Sequence, residues 1–125
     1  MERHTTVPPL VRFGPFELDV HSAELRYNGR NILLNEQPFQ VLLALLERPG
    51  ELISREELVK RLWPDGTFVD YERGLNKAVN KLRDVLRDSA DSPRFVETIP
   101  RTGLPLYRAA GREWHVSEDG RRRLG

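Results

Sequence analysis

The chain contains no cysteine and a single methionine. Without thiols there is neither a disulfide framework nor a thiolate metal site, and a reducing cytoplasm suits such a composition. Long apolar runs are missing too. The longest, residues 41–46, falls far short of the roughly 20 residues needed to cross a bilayer, and residues 1–9 lack the basic start and apolar stretch of a secretory signal. Net charge is almost absent: 20 Lys and Arg against 19 Asp and Glu leave +1, too little for whole-chain electrostatics to name a partner. The histidines His4, His21 and His115 have no metal-ligand spacing, and no glycine-rich phosphate loop is present. Asp65, Asp70 and Glu72 are explained by cap and loop roles. No convergent titratable set remains, so the expectation is a non-enzyme with no cofactor and no metal.

What is present fits one domain: 125 residues bury about two-thirds of their unfolded surface around a single core. The patterned part covers residues 11–110, and residues 1–10 and 111–125 show no periodicity and read as tails. Residues 11–34 alternate as short strands, with Phe16, Leu18 and Val20 on one side, then Leu25 and Tyr27, then Ile32 and Leu34. Gly14-Pro15 breaks the first pair. Asn28-Gly29 is a hairpin signal, because a tight primed turn needs positive φ at both central residues. The expectation is a small antiparallel sheet of up to four strands.

From Asn35 the period becomes helical. Asn35 is placed to cap, Pro38 sits in the first turn, and Phe39, Leu42, Leu43 and Leu46 form an apolar stripe that ends near Pro49-Gly50. Residues 54–57 read as a capping box that opens a second helix, with Leu58, Leu62 and Trp63 buried and Pro64-Asp65-Gly66 as its stop. Asp70 caps a third helix, where Leu75, Val79, Leu82 and Leu86 share one face. Residues 95–99 read as a strand, residues 100–103 as a turn, and residues 104–109 as a weaker returning strand.

Charge is local rather than global. Arg73, Lys77, Lys81 and Arg83 fall in a stretch without an acidic residue, and a step of about 100° per residue puts Arg73, Lys77, Asn80 and Asp84 opposite Leu75, with Asn76 and Lys81 on the flanks. Arginine and lysine reach guanine edges or phosphates, and asparagine pairs with adenine, so this face suits a DNA major groove. A merely solvated helix face is the competing reading.

The order of helix, loop, helix and basic hairpin is that of a winged helix-turn-helix. The stretches ERPGELISREELVKRLWPDG at 47–66, RGLNKAVNKLRDVL at 73–86 and RFVETIPRTG at 94–103 resemble the OmpR/PhoB-type effector domain, particularly its receiver-less and CadC-like variants. The resemblance implies an α+β winged helix-turn-helix with an N-terminal four-stranded antiparallel sheet, three helices and a C-terminal β-hairpin wing at about 95–109. It also implies double-stranded DNA as partner and transcription regulation as role. Residues 71–87 become the recognition helix, with Arg73, Asn76, Lys77, Asn80 and Lys81 at base edges and Arg83 at phosphate. Arg101 and Thr102 become the wing tip at the minor groove. Loop 64–69 corresponds to a segment that faces RNA polymerase in similar proteins, and similar domains bind direct repeats in tandem; with no large apolar dimer face or coiled coil in the sequence, the expectation is a monomer in free solution that pairs on DNA.

Two residues depart from the pattern. The family closes its wing with Gly-Tyr-Arg-Phe or similar, whereas Leu104-Pro105-Leu106 intervenes here, so the wing is either longer and bulged or ends in an edge strand. Asp84 on the outward face would be repelled by phosphate and marks where the helix leaves the groove. Double-stranded RNA is disfavoured because its deep, narrow groove excludes a helix. The alternative function is a protein-interaction winged helix that reads no DNA sequence. The helix phase itself is testable: Leu82→Ala is expected to cost about 2–5 kcal/mol, and a thermal midpoint equal to wild type would show that Leu82 is not buried.

Overall fold

A computed structural model describes residues 9–48, 50–66, 70–88, 95–101 and 104–109, without the side chains of 99–101, 104–106, 108 and 109. Its first unit is an antiparallel sheet of β1 (Leu10–Phe13), β2 (Phe16–Asp19), β3 (Glu24–Tyr27) and β4 (Arg30–Ile32), in sequence order. β1 thus opens at Leu10, which the sequence pattern leaves in the tail. Period-2 alternation carries Val11, Phe13, Phe16, Leu18 and Leu25 to the covered side. Asn28 and Gly29 adopt φ of 51° and 83°, the conformation expected of that dipeptide, and the turn sets Tyr27 opposite Arg30.

Helix α1 (Glu36–Glu47) is buried far beyond the expected stripe: besides Phe39, Leu42, Leu43 and Leu46, it also hides Pro38, Val41, Ala44 and Leu45. A helix apolar on nearly every side belongs at the centre of a fold, and α1 meets both other helices and the wing. Asn35 takes the N-cap position, yet its side chain bonds no helix amide. The reason lies three residues on. The usual N3 donor is Pro38, which has no N–H.

After β5 (Ile53–Ser54), helix α2 (Arg55–Leu62) starts on the expected capping box, with Ser54 Oγ accepting from the Glu57 amide at 3.1 Å and Glu57 accepting from the Ser54 amide at 3.1 Å. Leu58 and Leu62 are buried, but Trp63 is only half-buried. Two ion pairs join α1 to α2: Arg48 meets Glu57 at 2.9 Å, and Arg61 grips both Glu47 oxygens at 2.7 Å. Helix α3 (Tyr71–Leu86) is capped by Asp70, which accepts from the Arg73 amide at 3.2 Å. It buries Leu75, Ala78, Val79, Leu82 and Leu86.

The wing consists of β6 (Val96–Arg101) and β7 (Leu104–Ala109), and with β5 it forms a second sheet in the order β5-β7-β6. The sequence reading differs here. Residues 100 and 101, assigned to a turn, continue β6, and β7 lies in the middle of its sheet rather than at an edge. The hairpin is long, closing only at Arg101↔Leu104, and Pro100 faces Pro105. Two residues without N–H groups tolerate each other only at a pair that exchanges no ladder bonds. Proline at 105 therefore does not break the wing.

Phe95, just before β6, packs edge-on against Phe13 and Phe16 at ring distances of 6.0 and 5.6 Å, which locks the wing's base to the first sheet. Tyr107 of β7 is buried beside Ile53 and Thr98. Burial pushes its phenol up from the usual tyrosine range, against the opposing charges of Arg55 and Arg83. Among the described residues no helix is long and apolar enough to cross a membrane.

The capping box carries an acid-sensitive contribution to stability. The Ser54 amide and the Arg48 guanidinium hold the Glu57 carboxyl below its ordinary value of 4.5. A depressed carboxyl stabilises the fold above the unfolded value and loses that contribution as pH falls toward the folded one. Urea titrations of wild type and Glu57→Gln are therefore expected to differ most above pH 4.5 and to converge below it. A gap that does not change with pH would contradict this role for Glu57.

Candidate nucleic-acid interface

Helix α3 divides its surface between two tasks. Its buried residues recur at helical spacing and dock it to the core, so the opposite face is fixed in space. On that face Arg73, Asn76, Lys77, Asn80, Lys81 and Asp84 are all exposed, so the five expected base-edge residues share one surface with Asp84. Several acids and bases elsewhere are paired, as in Arg61 with Glu47, Arg48 with Glu57, and Arg26 with Glu17 and Glu24. Among the described residues neither Lys77 nor Lys81 has an acidic partner. Arg73 meets Asp70 only at 3.9 Å and remains 86% exposed. A chain that is nearly neutral overall thus still presents three exposed cations, Arg73, Lys77 and Lys81, on one face of this helix.

The face is concave. An open groove of about 670 Å³ runs between α3 and the start of α1, where Asn35, Gln37 and Pro38 form the opposite wall. These three were not among the sequence-derived site residues. The signal was nevertheless present: proline at the third helical position leaves the Asn35 amide without its usual backbone partner and so available in the groove. Asp84 also lines the groove, the one acidic side chain among its described walls.

The remaining candidates are placed differently. Arg83 is only partly exposed and turns toward the wing, where its Nη2 donates to the Val96 carbonyl at 3.0 Å and to Thr98 Oγ1 at 2.7 Å. These bonds form because β6 passes within reach of that side of the helix. Arg101 is the last residue of β6, at the pair that closes the hairpin. Thr102 lies outside the described residues. Of loop 64–69, residues 64–66 are described and 67–69 are not.

Exposed long donors on a docked helix, followed by a β-hairpin, give the arrangement of a winged helix. A profile of the family described as "Transcriptional regulatory protein, C terminal" matches residues 29–106. The chain belongs to that family. Among its relatives, the cholera toxin homolog transcriptional activator of Vibrio parahaemolyticus (serotype O3:K6) is 34% identical over 107 residues, 83% of this chain and 37% of its own length. The transcriptional activator CadC of Escherichia coli K12 is 26% identical over 113 residues, 90% of this chain and 21% of its own. This member of the family therefore spans well under half the length of these relatives.

Two solved structures are similar as well. The DNA-binding domain of E. coli CadC superposes with a TM-score of 0.69 at 24% identity, covering 91% of this chain and all of that one, and shares the fold. The Klebsiella pneumoniae RstA DNA-binding domain, solved in complex with the RstA box, gives a TM-score of 0.66 at 27% identity, covering 81% and 96%. The resemblance to the OmpR/PhoB type and the winged-helix architecture both hold.

One residue of α3 is set by its neighbour rather than by the solvent side. A Cβ built on Gly74 would meet two atoms of the Trp63 ring at 2.9 Å, and that ring also packs on Tyr71 at 5.5 Å. Helix propensity alone would make Gly74→Ala stabilising by about 1 kcal/mol. The clash is expected to outweigh this and leave a net loss of about 1–2 kcal/mol, read as a lower urea midpoint. A raised midpoint would show that Trp63 does not hold the start of α3.

Proposed function

We propose that this domain binds double-stranded DNA sequence-specifically and regulates transcription, with α3 in the major groove and the wing at the minor groove. The observation that carries the reading is the α3 face itself, where unpaired Lys77 and Lys81 alternate with Asn76 and Asn80 on a helix held by its buried stripe. Arg73, Asn76, Lys77, Asn80 and Lys81 contact base edges. The amides of Asn35 and Gln37 stand on the opposite wall of the same groove and add polar contacts there. Arg101 and Thr102 at the hairpin end approach the minor groove, whose negative potential favours a guanidinium. Asp84 marks the end of the contact surface.

The likeness to a DNA-binding domain solved with its box supports this assignment. The rest of the reading follows from it. The domain is a regulator's recognition module rather than an enzyme, works in the cytoplasm, is monomeric in free solution and pairs in tandem on DNA. The segment 64–69 faces RNA polymerase.

Neutralising about four to six phosphates gives a log–log salt slope of roughly −4 to −5. A flat titration from low to moderate salt, or saturable binding to a protein partner with no duplex binding, would favour the protein-interaction alternative. Base reading is tested separately. Asn80→Ala and Lys81→Ala are each expected to lose about 1–3 kcal/mol on a duplex selected from random DNA, and much less on unselected duplex. Equal losses on both kinds of DNA would mean that α3 does not read sequence.

A further inference from the structure

The register of the wing determines where β6 directs its backbone groups. Pro100 and Pro105 face each other and exchange no ladder bonds, so alternation puts Thr98↔Tyr107 and Val96↔Ala109 in the same class. The N–H and C=O groups of Val96 and Thr98 therefore point away from β7. Among the described residues no strand lies on that side, since β6 is the outermost of its sheet.

At the base of the wing the backbone groups of Val96 are met by side chains from the last turn of α3 and from Asp88 just beyond it. The Asp88 carboxylate accepts from the amides of Phe95 and Val96, at 3.0 and 2.8 Å. Arg83 donates to the Val96 carbonyl and to Thr98 Oγ1. Both backbone polar groups of Val96 are thus held from the C-terminal end of α3 and its cap, the N–H by the Asp88 carboxylate and the C=O by the Arg83 guanidinium. The Arg83 Nε is buried with no hydrogen-bond partner among the described residues. A guanidinium held at the cost of an unsatisfied donor is kept in place by its other bonds and not by solvent.

We propose that Arg83 is a positioning residue, whose tie to Val96 and Thr98 sets the direction in which the wing leaves the recognition helix and makes the two a single rigid reader. Arg83 is then not a phosphate contact. Its geometry stands without the DNA-binding reading; its consequence, correct delivery of the wing tip to the minor groove, rests on it.

Three variants test the tie: Arg83→Gln, Thr98→Val, which removes the acceptor without touching a charge, and Thr98→Ser, which keeps it. Amide hydrogen exchange on the free chain comes first. In Arg83→Gln and Thr98→Val, the amides of Val96 and Glu97 are expected to exchange roughly three- to tenfold faster relative to those of α1, and in Thr98→Ser to stay near wild type. Unchanged exchange at Val96 and Glu97 in both disrupting variants would overturn the proposal.

The second measurement uses duplexes with and without an A·T-rich flank, recovered by selection with the wild-type chain, together with a random duplex pool. Arg83→Gln and Thr98→Val are expected to lose selectivity for the flank while keeping the wild-type salt slope, a pattern that a general loss of stability does not produce. A slope smaller by about 0.9 in Arg83→Gln would make Arg83 a phosphate contact and overturn the proposal. If the wild-type chain binds no duplex at all, the DNA-binding reading fails, and the exchange experiment still decides whether Arg83 holds the wing.

Discussion

The dry face of α3 is the constraint on which the rest of the molecule depends. Leu75, Ala78, Val79, Leu82 and Leu86 can be withheld from water only if α1 lies beneath them, and α1 can lie there only because it is apolar on nearly every side. Burial of one such leucine stabilises by about 1.5–3 kcal/mol, enough that rotating the helix by a single residue would be prohibitive. The polar face inherits that precision. Lys77, Asn80 and Lys81 hold their relative positions because their neighbours at helical spacing are packed, and a reading surface needs that kind of preorganisation.

Local chemistry explains which parts of this arrangement were legible in the sequence. The Asn28-Gly29 turn, the Ser54 and Glu57 box, the Asp70 cap and the α3 stripe each depend on residues within four positions of one another, so propensity and periodicity reveal them. Asn35 misleads only when read alone, since Pro38, also within reach in sequence, removes the donor that its side chain would cap. The extra burial of α1 is a tertiary fact, imposed by elements far along the chain. Arg83 is the plainest case: from sequence it is one more cation on a basic helix, and only the path of β6, more than ten residues later, turns it inward. The length of the wing was hidden for a related reason, because proline counts against a strand until its partner across the hairpin is known to be proline too.

Charge follows a similar logic. A chain of nearly balanced composition can still present a cationic surface if its acids are committed elsewhere, and the α1–α2 seam does this through Arg61 with Glu47 and Arg48 with Glu57. The more exposed of these, Arg48 with Glu57, contributes little to stability, commonly under about 1 kcal/mol. The larger effect of the two pairs is on the field, since each acid paired at that seam is one that does not sit beside α3.

The opposed prolines of the wing bear on the behaviour of the protein in a crowded cell. A long hairpin that stands out from a domain offers an open strand edge, and such edges recruit further strands from neighbouring chains. On β6 that edge is occupied at its base by the side chains of Arg83 and Asp88, and farther out Pro100 has no hydrogen to offer an incoming backbone. A wing that had grown without these features would be a template for aggregation. With them, it can lengthen toward a ligand and remain inert toward its own kind.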